Sequence, residues 1–546
     1  MCPHYESPPT PEIMTACQGP VEQQPKVPEN TGLCWWDELP RECKLQVWEH
    51  LTAREVARAA GICREFAAYA HETRLGTRTL KLPAGVSATA LQGMVKAFSR
   101  ASKVRVHPSL VHMPTLGSAI ARGAQARVQG APLESLDLSN CRSLSEHSLL
   151  SLFTTIPSIR DLDLSNCVEV SDASLKALAA SIRRTDCDAD EDGLAWEALQ
   201  MQEALQPRTG ATARVHIEDA FAAARHAHSP LADGFGSPGG HNLMGGFRHR
   251  PGLRALSVDA CSQVTAVGAL EILKACSHSL TSFNVSRTAV SSLQQSRWGA
   301  LQSLTANQCD NLTSVTFQLP ASAPLRELSL AGCTNLGKVV LACPQLISLN
   351  VSGNSSLTHL SLKCTALESL RAAQCLRLEG LQEGFCCPAL LHANFAGCRS
   401  LTGLDESLAG CTSLLTLNVN GCISLFRLAL LDHTGMARLE ASGCKQLRTV
   451  ECGSTALEVC MAQSCQVLEA LRLQGKSLQV LDVGGCSSLR ELQMSWLDRP
   501  MADLMATANS RKGALHLNID GCPLLPTGIV SRLQAAFKSS RRMKWY

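Results

Sequence analysis

Aliphatic and polar positions fall into one arrangement that returns again and again along this chain. The segment Leu133-Glu134-Ser135-Leu136-Asp137-Leu138-Ser139-Asn140-Cys141-Arg142-Ser143-Leu144 reads L-x-x-L-x-L-x-x-C-x-x-L. Its cysteine slot is refilled at Cys167, Cys261, Cys309, Cys333, Cys375, Cys398, Cys422, Cys444, Cys465, Cys486 and Cys522, with Thr288 and Asn354 in two further copies. That makes fourteen copies in one register. The L-x-L alternation has the period of a strand that buries one face. One such strand cannot close a core, so the pattern predicts short parallel strands stacked copy upon copy around a continuous aliphatic interior. The cysteine stands where the chain leaves the strand. A small, nearly apolar side chain with a weak S–H donor suits a turn that must pack inward and still serve buried backbone, so the slot cysteines read as structural.

The spacing predicts what covers the other side of the stack. From Leu136 to Leu162 the step is 26 residues, and both Ser-Glu-His-Ser-Leu-Leu after Cys141 and Ser-Asp-Ala-Ser-Leu-Lys after Cys167 have helical spacing behind a cap. Early copies should carry helices. From about residue 300 most steps are 21 to 24 residues, too short for a comfortable helix, and returns such as Leu336-Gly337-Lys338-Val339-Val340-Leu341-Ala342-Cys343 predict extended chain. A second cysteine row, Cys343, Cys364, Cys387 and Cys411, lies eleven residues before the slots at 354, 375, 398 and 422 and keeps the same register. The fold class expected is α/β, a solenoid with a curved parallel sheet on one side and helices, then extended segments, on the other.

Three stretches break the pattern. Residues 1–32 are rich in Pro, Glu and Gln and read as disordered. Residues 183–250 interrupt the array with an acidic run, a short amphipathic piece near Trp196 and a Gly/Pro/His-rich tail, and read as a flexible insertion. Residues 499–512 form a smaller one. The organisation expected is then a helical segment at 33–76, leading repeats at 77–182, the main array at 251–498, and a last repeat with a basic tail at 513–546.

Residues flanking the strand leucines alternate outward and make the candidate binding face. It reads acidic at the early end, through Asp137, Asp161, Asp163 and Asp259, and amide-rich further on, through Asn284, Asn350, Asn394, Asn418 and Asn420. Fourteen strands at about 4.8 Å give roughly 70 Å of face. A basic partner segment is expected at the early strands, with hydrogen bonding reading the middle ones.

Composition narrows the classes. The net charge is +3 on 546 residues, so the surface as a whole is not built for nucleic acid or anionic lipid. Aromatics are 4% against 45% apolar residues, which leaves an aliphatic and thiol core. No apolar run approaches the roughly 18 residues of a membrane span, and the start, with Glu6 and prolines at 8, 9 and 11, does not read as a secretory signal. The 26 cysteines are therefore expected reduced, in a cytoplasmic or nuclear setting, and no C-x-x-C occurs to suggest a zinc or redox site. Gly234 to Gly239 matches G-x-G-x-x-G only formally, since Pro238 lies inside it and neither strand nor helix flanks it. His226, His228, His241 and His249 in that insertion match no metal spacing. The tail after Asp520, with Arg532, Lys538, Arg541, Arg542 and Lys544, reads either as a solvated end or as a nuclear import signal. No nucleophile elbow, P-loop, zincin or kinase motif appears, so neither catalysis nor a cofactor or metal is expected.

Ahead of the repeats, residues 35 to about 75 have helical spacing and a Leu-Pro start. Leu39-Pro40, Glu42, Val47, Leu51, Val56, then Ile62-Cys63-Arg64 and Phe66, follow the order and spacing of an F-box. The segment resembles that family, departing from it at Phe66, where Trp is commonest, and at Cys43 and Gln46, where bulkier apolar residues are frequent. About 40 residues hold too small a core to stand firmly alone, which suits a docking module. An F-box followed directly by cysteine-type leucine-rich repeats is the arrangement of F-box/LRR substrate receptors. The resemblance implies that residues 39 to 66 bind a Skp1-like adaptor and through it a cullin, and that the concave repeat face holds a protein substrate for ubiquitination. The competing reading is an LRR scaffold or inhibitor without a ligase role, its helical start acting as a cap. A third, a receptor for a small signalling ligand, lacks a basic cluster among the strand positions.

Overall fold

The computed structural model describes residue 51, helix Ala53–Ala59, residues 68 and 70, most of 78–183 and 252–494, and 516–531. Short gaps fall at 111–115, 127–131, 294–297, 383 and 475–477 and at scattered positions between 143 and 157. The chain divides into two compact units, 1–73 and 74–546. In the first, Val56 and Ala70 are buried and Leu51 is half-buried. The other positions of the F-box-like motif lie outside the described residues, as do 1–32, 184–250 and 499–512.

The second unit is a leucine-rich-repeat solenoid. Its described residues form one parallel sheet of sixteen short strands, from Thr79–Lys81 to His516–Asn518, each paired with the next copy along the chain. Fourteen of these are the predicted copies. The two extra strands, Thr79–Lys81 and Lys103–Arg105, belong to leading repeats whose cysteine slots are missing from the sequence. Nearly every strand is three residues long with a fully buried middle residue: Leu136, Leu256, Phe283, Leu349, Leu417 and Leu481 are at most 2% exposed. Burying one such side chain contributes about 1.5–3 kcal/mol. Repeated down the stack, this burial is what holds the solenoid together.

The backing changes as the spacing predicts, although most of the helix expected after Cys141 lies outside the described residues. Helices α1 (Ala88–Ala97), α2 (Leu116–Gln125), α3 (Asp172–Arg183) and α4 (Ala266–Ala275) back the early copies. Helices α1 and α2 pack together, as do α3 and α4. Asp172, the first residue of α3, accepts from Thr265 N at 2.8 Å, Thr265 Oγ1 at 2.5 Å and Gly268 N at 3.1 Å, and so caps α4 across the whole 183–250 insertion. From residue 300 to 494 most returns are strands, and residues 527–531 after the last copy are helical. Ser314–Gln318, Lys338–Ala342 and His359–Leu362 form one parallel sheet, and Arg427–Leu430, Thr449–Cys452, Ala470–Leu473 and Glu491–Met494 form a second. Between them the return is held by a bridge from Lys363 to Cys386 and a single turn, Asp405–Leu408. At the change from helix to strand, Trp298 and Phe317 meet edge to face with ring centres 4.5 Å apart.

The slot cysteines do what their size and S–H donor allow. In eleven copies the thiol donates to a main-chain carbonyl of the preceding copy at 3.0–3.2 Å, as from Cys167 to Leu138 and from Cys444 to Val419. Asn354 fills the same place with its amide, donating to Leu330 O at 3.0 Å and Val351 O at 2.8 Å. The second cysteine row is buried too, and His433 and Ser454 extend it at the same register. All described cysteines are free thiols.

Candidate functional site: the face of the long sheet

The outward residues of the sixteen strands form one continuous face. Two features of the turn beside it were not read from the sequence. The residue just before every slot is left-handed, with φ between 53° and 78°, in all fourteen copies. Seven are glycine, and the others are Asn140, Asn166, Ala260, Arg287, Gln308, Gln374 and Ser464. These residues stack closely; a Cβ on Gly353 would lie 3.4 Å from Gly332 Cα. In thirteen copies their N–H donates to the next copy at 2.7–2.9 Å, as from Gly397 to Asn420 O. The glycine preceding many slot cysteines was the available signal, but half the copies lack it.

The second feature concerns the predicted site residues themselves. The carboxylate or amide oxygen of Asp137, Asp163, Asn284, Asn350, Asn394, Asn418, Asp482 and Asn518 accepts from the backbone N–H two residues on. Asp and Asn recur here because their short side chains close such a turn.

This reduces what the face can offer. Asp137, expected exposed, is 2% exposed: Arg105 on the neighbouring strand holds it at 2.6 Å, and Ser139 donates both its N–H and its hydroxyl. Burial by itself pushes the Asp137 carboxyl up, but the Ser139 bonds and the Arg105 guanidinium together bring it below the usual carboxylate range. Asp259 is half-buried and gripped by Arg287 through both oxygens. Asn418 and Asn420 both donate to Glu440 Oε2, at 2.9 and 3.1 Å, while Arg438 Nε donates to Glu440 Oε1 at 2.5 Å. Glu440 therefore organises the region in which the amides were expected to act alone. Asn284 donates to Ser257 at 3.3 Å. Among the described residues, Asp161 and Asp163 meet no Lys or Arg, and Asn350 and Asn394, whose amide oxygens close the turn, keep their NH2 groups free of a partner. These four remain the half-buried groups open to a partner.

An open cleft of about 580 Å³ lies at the rim of the face, lined by Arg287, Gln308, Asp310 and Thr334 among others. Two of its charged or polar groups are already paired: Arg287 with Asp259, and Thr334 Oγ1 with Asp310 at 2.9 Å. Among the described residues no cluster of side chains is arranged to hold a metal ion, and no helix is long and apolar enough to cross a membrane.

No family model matches the chain, and no curated protein matches it in sequence. Among solved structures it is similar to the functional domain of InlJ from Listeria monocytogenes, which includes a cysteine ladder. That match is 18% identical and covers 45% of this chain and 54% of that one, with a TM-score of 0.24. It is similar to the TLR13–ssRNA13 complex at 13% identity, 77% and 56% coverage and TM-score 0.35. The yeast Rad7–Elc1 complex gives 13%, 76% and 87%, and 0.29. The chain spans about half the length of the InlJ and TLR13 structures it matches. At such identities and scores the likenesses carry no argument about function; the solenoid stands on its own strands and register.

Proposed function

We propose that this chain is the substrate-recognition subunit of an SCF-type ubiquitin ligase, a receptor without catalytic chemistry of its own. Its F-box-like segment would bind a Skp1-like adaptor, and through it a cullin, while the face of the long sheet takes the protein substrate. The observation that carries this reading is the motif Leu39-Pro40 through Ile62-Cys63-Arg64 and Phe66, in a compact unit of its own directly ahead of a leucine-rich-repeat solenoid. Holding a target lysine near a charged ubiquitin carrier makes the transfer effectively intramolecular, so no acid, base or nucleophile is required of this chain.

Leu39, Pro40 and Phe66 are the apolar anchors of that docking, and truncating buried interface anchors typically costs about 2 kcal/mol or more. A Leu39→Ala, Pro40→Ala double variant should lose capture of the adaptor while the solenoid melts unchanged. Full capture by the folded double variant would leave a scaffold or inhibitor and remove the ligase. For the substrate face, charge reversal at Asp161 and Asp163 should weaken substrate capture more than Lys176→Glu on helix α3.

A further inference from the structure

The face of the long sheet has one apolar place. Each of the sixteen strands turns its first and last residues outward, and almost all of these are Ser, Thr, Asn, Asp, Glu, His, Arg or Lys. Apart from Ala255, the exceptions are Val459, Met461 and Val480, and they are neighbours: Val459 pairs directly with Val480, and Met461 follows on the same strand. All three are half-buried rather than covered. The middle residues Cys460 and Leu481 already fill the core beneath them, so these three are surplus to the interior. A Val–Val pair helps a sheet, but Ser, Thr or Asn serves in the equivalent places of the other copies, so stacking does not demand it.

Carboxylates border this patch at its Met461 end, while Arg438 and His516 lie in register beside Val459 and Val480. Glu440 lies beside Met461 in register and Asp482 on its other side, with Asp520 at the turn after the last strand. Arg438 is tied to Glu440. From strand Ser135–Asp137 onward, the outward residues of the strands and of the turn position just after them include eight carboxylates against Arg371 and Arg438, although the chain as a whole is net positive. An aliphatic knob on a partner would find its contact here, and neighbouring lysine or arginine side chains would find theirs within one strand spacing, about 4.8 Å.

Building on the receptor reading above, we propose that Val459, Met461 and Val480 form the anchor subsite of the face. It takes a protein segment presenting one aliphatic side chain flanked by basic residues. The apolar centre supplies binding energy and the carboxylates beside Met461 set orientation, the usual division between an apolar hot spot and its polar rim.

The test uses the full chain with a displayed library of 12-residue peptides as the probe, followed by binding of individual synthetic peptides. Selected peptides should share an aliphatic residue next to Lys or Arg. Their affinity should fall about tenfold or more in Val459→Thr, Val480→Thr and again in Met461→Gln, and should be unchanged in Ser348→Ala on the same face. Valine to threonine keeps shape and strand preference, so an unchanged melting temperature separates lost contact from lost fold. Selection of acidic or purely polar peptides, or equal binding by the variants, would overturn the subsite. Adaptor capture, measured on the same preparations, reports the receptor reading separately: its absence with peptide binding intact rejects the ligase and keeps the subsite.

Discussion

The copies before residue 290 and those after 300 bury the same leucines and yet solve the turn and the return differently. In the early copies the residue before the slot is Asn140, Asn166, Ala260 or Arg287; Asn tolerates the left-handed region, whereas Ala260 and Arg287 are held there against their preference. In the later copies it is mostly glycine, as at Gly332, Gly353, Gly397, Gly421 and Gly443. The described early returns at 88–97, 116–125, 172–183 and 266–275 are helices, whose hydrogen bonds are internal; most later returns are strands, whose hydrogen bonds run to the next copy. The late array is thus tied between copies on both sides, whereas the early array is tied on one side and packed on the other. Trp298 against Phe317 sits where one regime gives way to the other, large rings filling the space that neither a helix nor a two-strand return would close.

The largest expected effect is alkaline. Burial pushes the thiols of Cys141, Cys167 and Cys422 up to about 12 and those of Cys261 and Cys411 to about 11, from 9.0. The unfolded chain ionises first, so the stability these thiols contribute is whole below pH 9 and is lost as pH rises through 11 to 12. Melting under reductant should fall steeply above pH 9. The late array, with its second cysteine row, should lose hydrogen-exchange protection before the early one. Uniform loss across both regions would break the contrast.

Proline separates the two kinds of return next. Val340→Pro, in the middle strand of the 314–362 sheet, removes a ladder bond and should cost about 3 kcal/mol or more. Ala266→Pro, at the first position of α4 behind an extended Thr265, should be nearly neutral. Equal losses in denaturant melts would mean that the returns are not held as described.

Arg105→Ala should cost about 1–3 kcal/mol by leaving the Asp137 carboxylate buried without its cation. Hydrogen exchange should quicken in the first three strands and not beyond residue 300. Because the native pair holds Asp137 below its ordinary value, its stabilisation is present above pH 4 and fades below it. The variant's deficit should therefore persist down to about pH 4 and shrink only below it.

The smallest effect concerns the left-handed row. Ala260→Gly should stabilise by up to about 1 kcal/mol, while Gly421→Ala should cost about 1–2 kcal/mol. If both changes are neutral in thermal melts, turn strain does not distinguish the regions.

The spacing of leucines and cysteines was enough to determine the solenoid, its register and the switch from helical to extended returns. Each of these follows from local period and step length, which are written in order along the chain. Copies without the cysteine, at Leu80 and Val104, were legible only as degenerate repeats, since their strands are recognised by what they pair with. The binding face was legible only in part. Sequence placed Asp137, Asp259, Asn418 and Asn420 on the outward side, but whether a polar group is free depends on its neighbours one copy away. Arg105, Arg287 and Glu440 lie some 20 to 30 residues distant in the chain and within hydrogen-bond reach in space. The apolar cluster of Val459, Met461 and Val480 likewise exists only once two strands are brought into register, because a sheet face is made of residues that the sequence keeps apart.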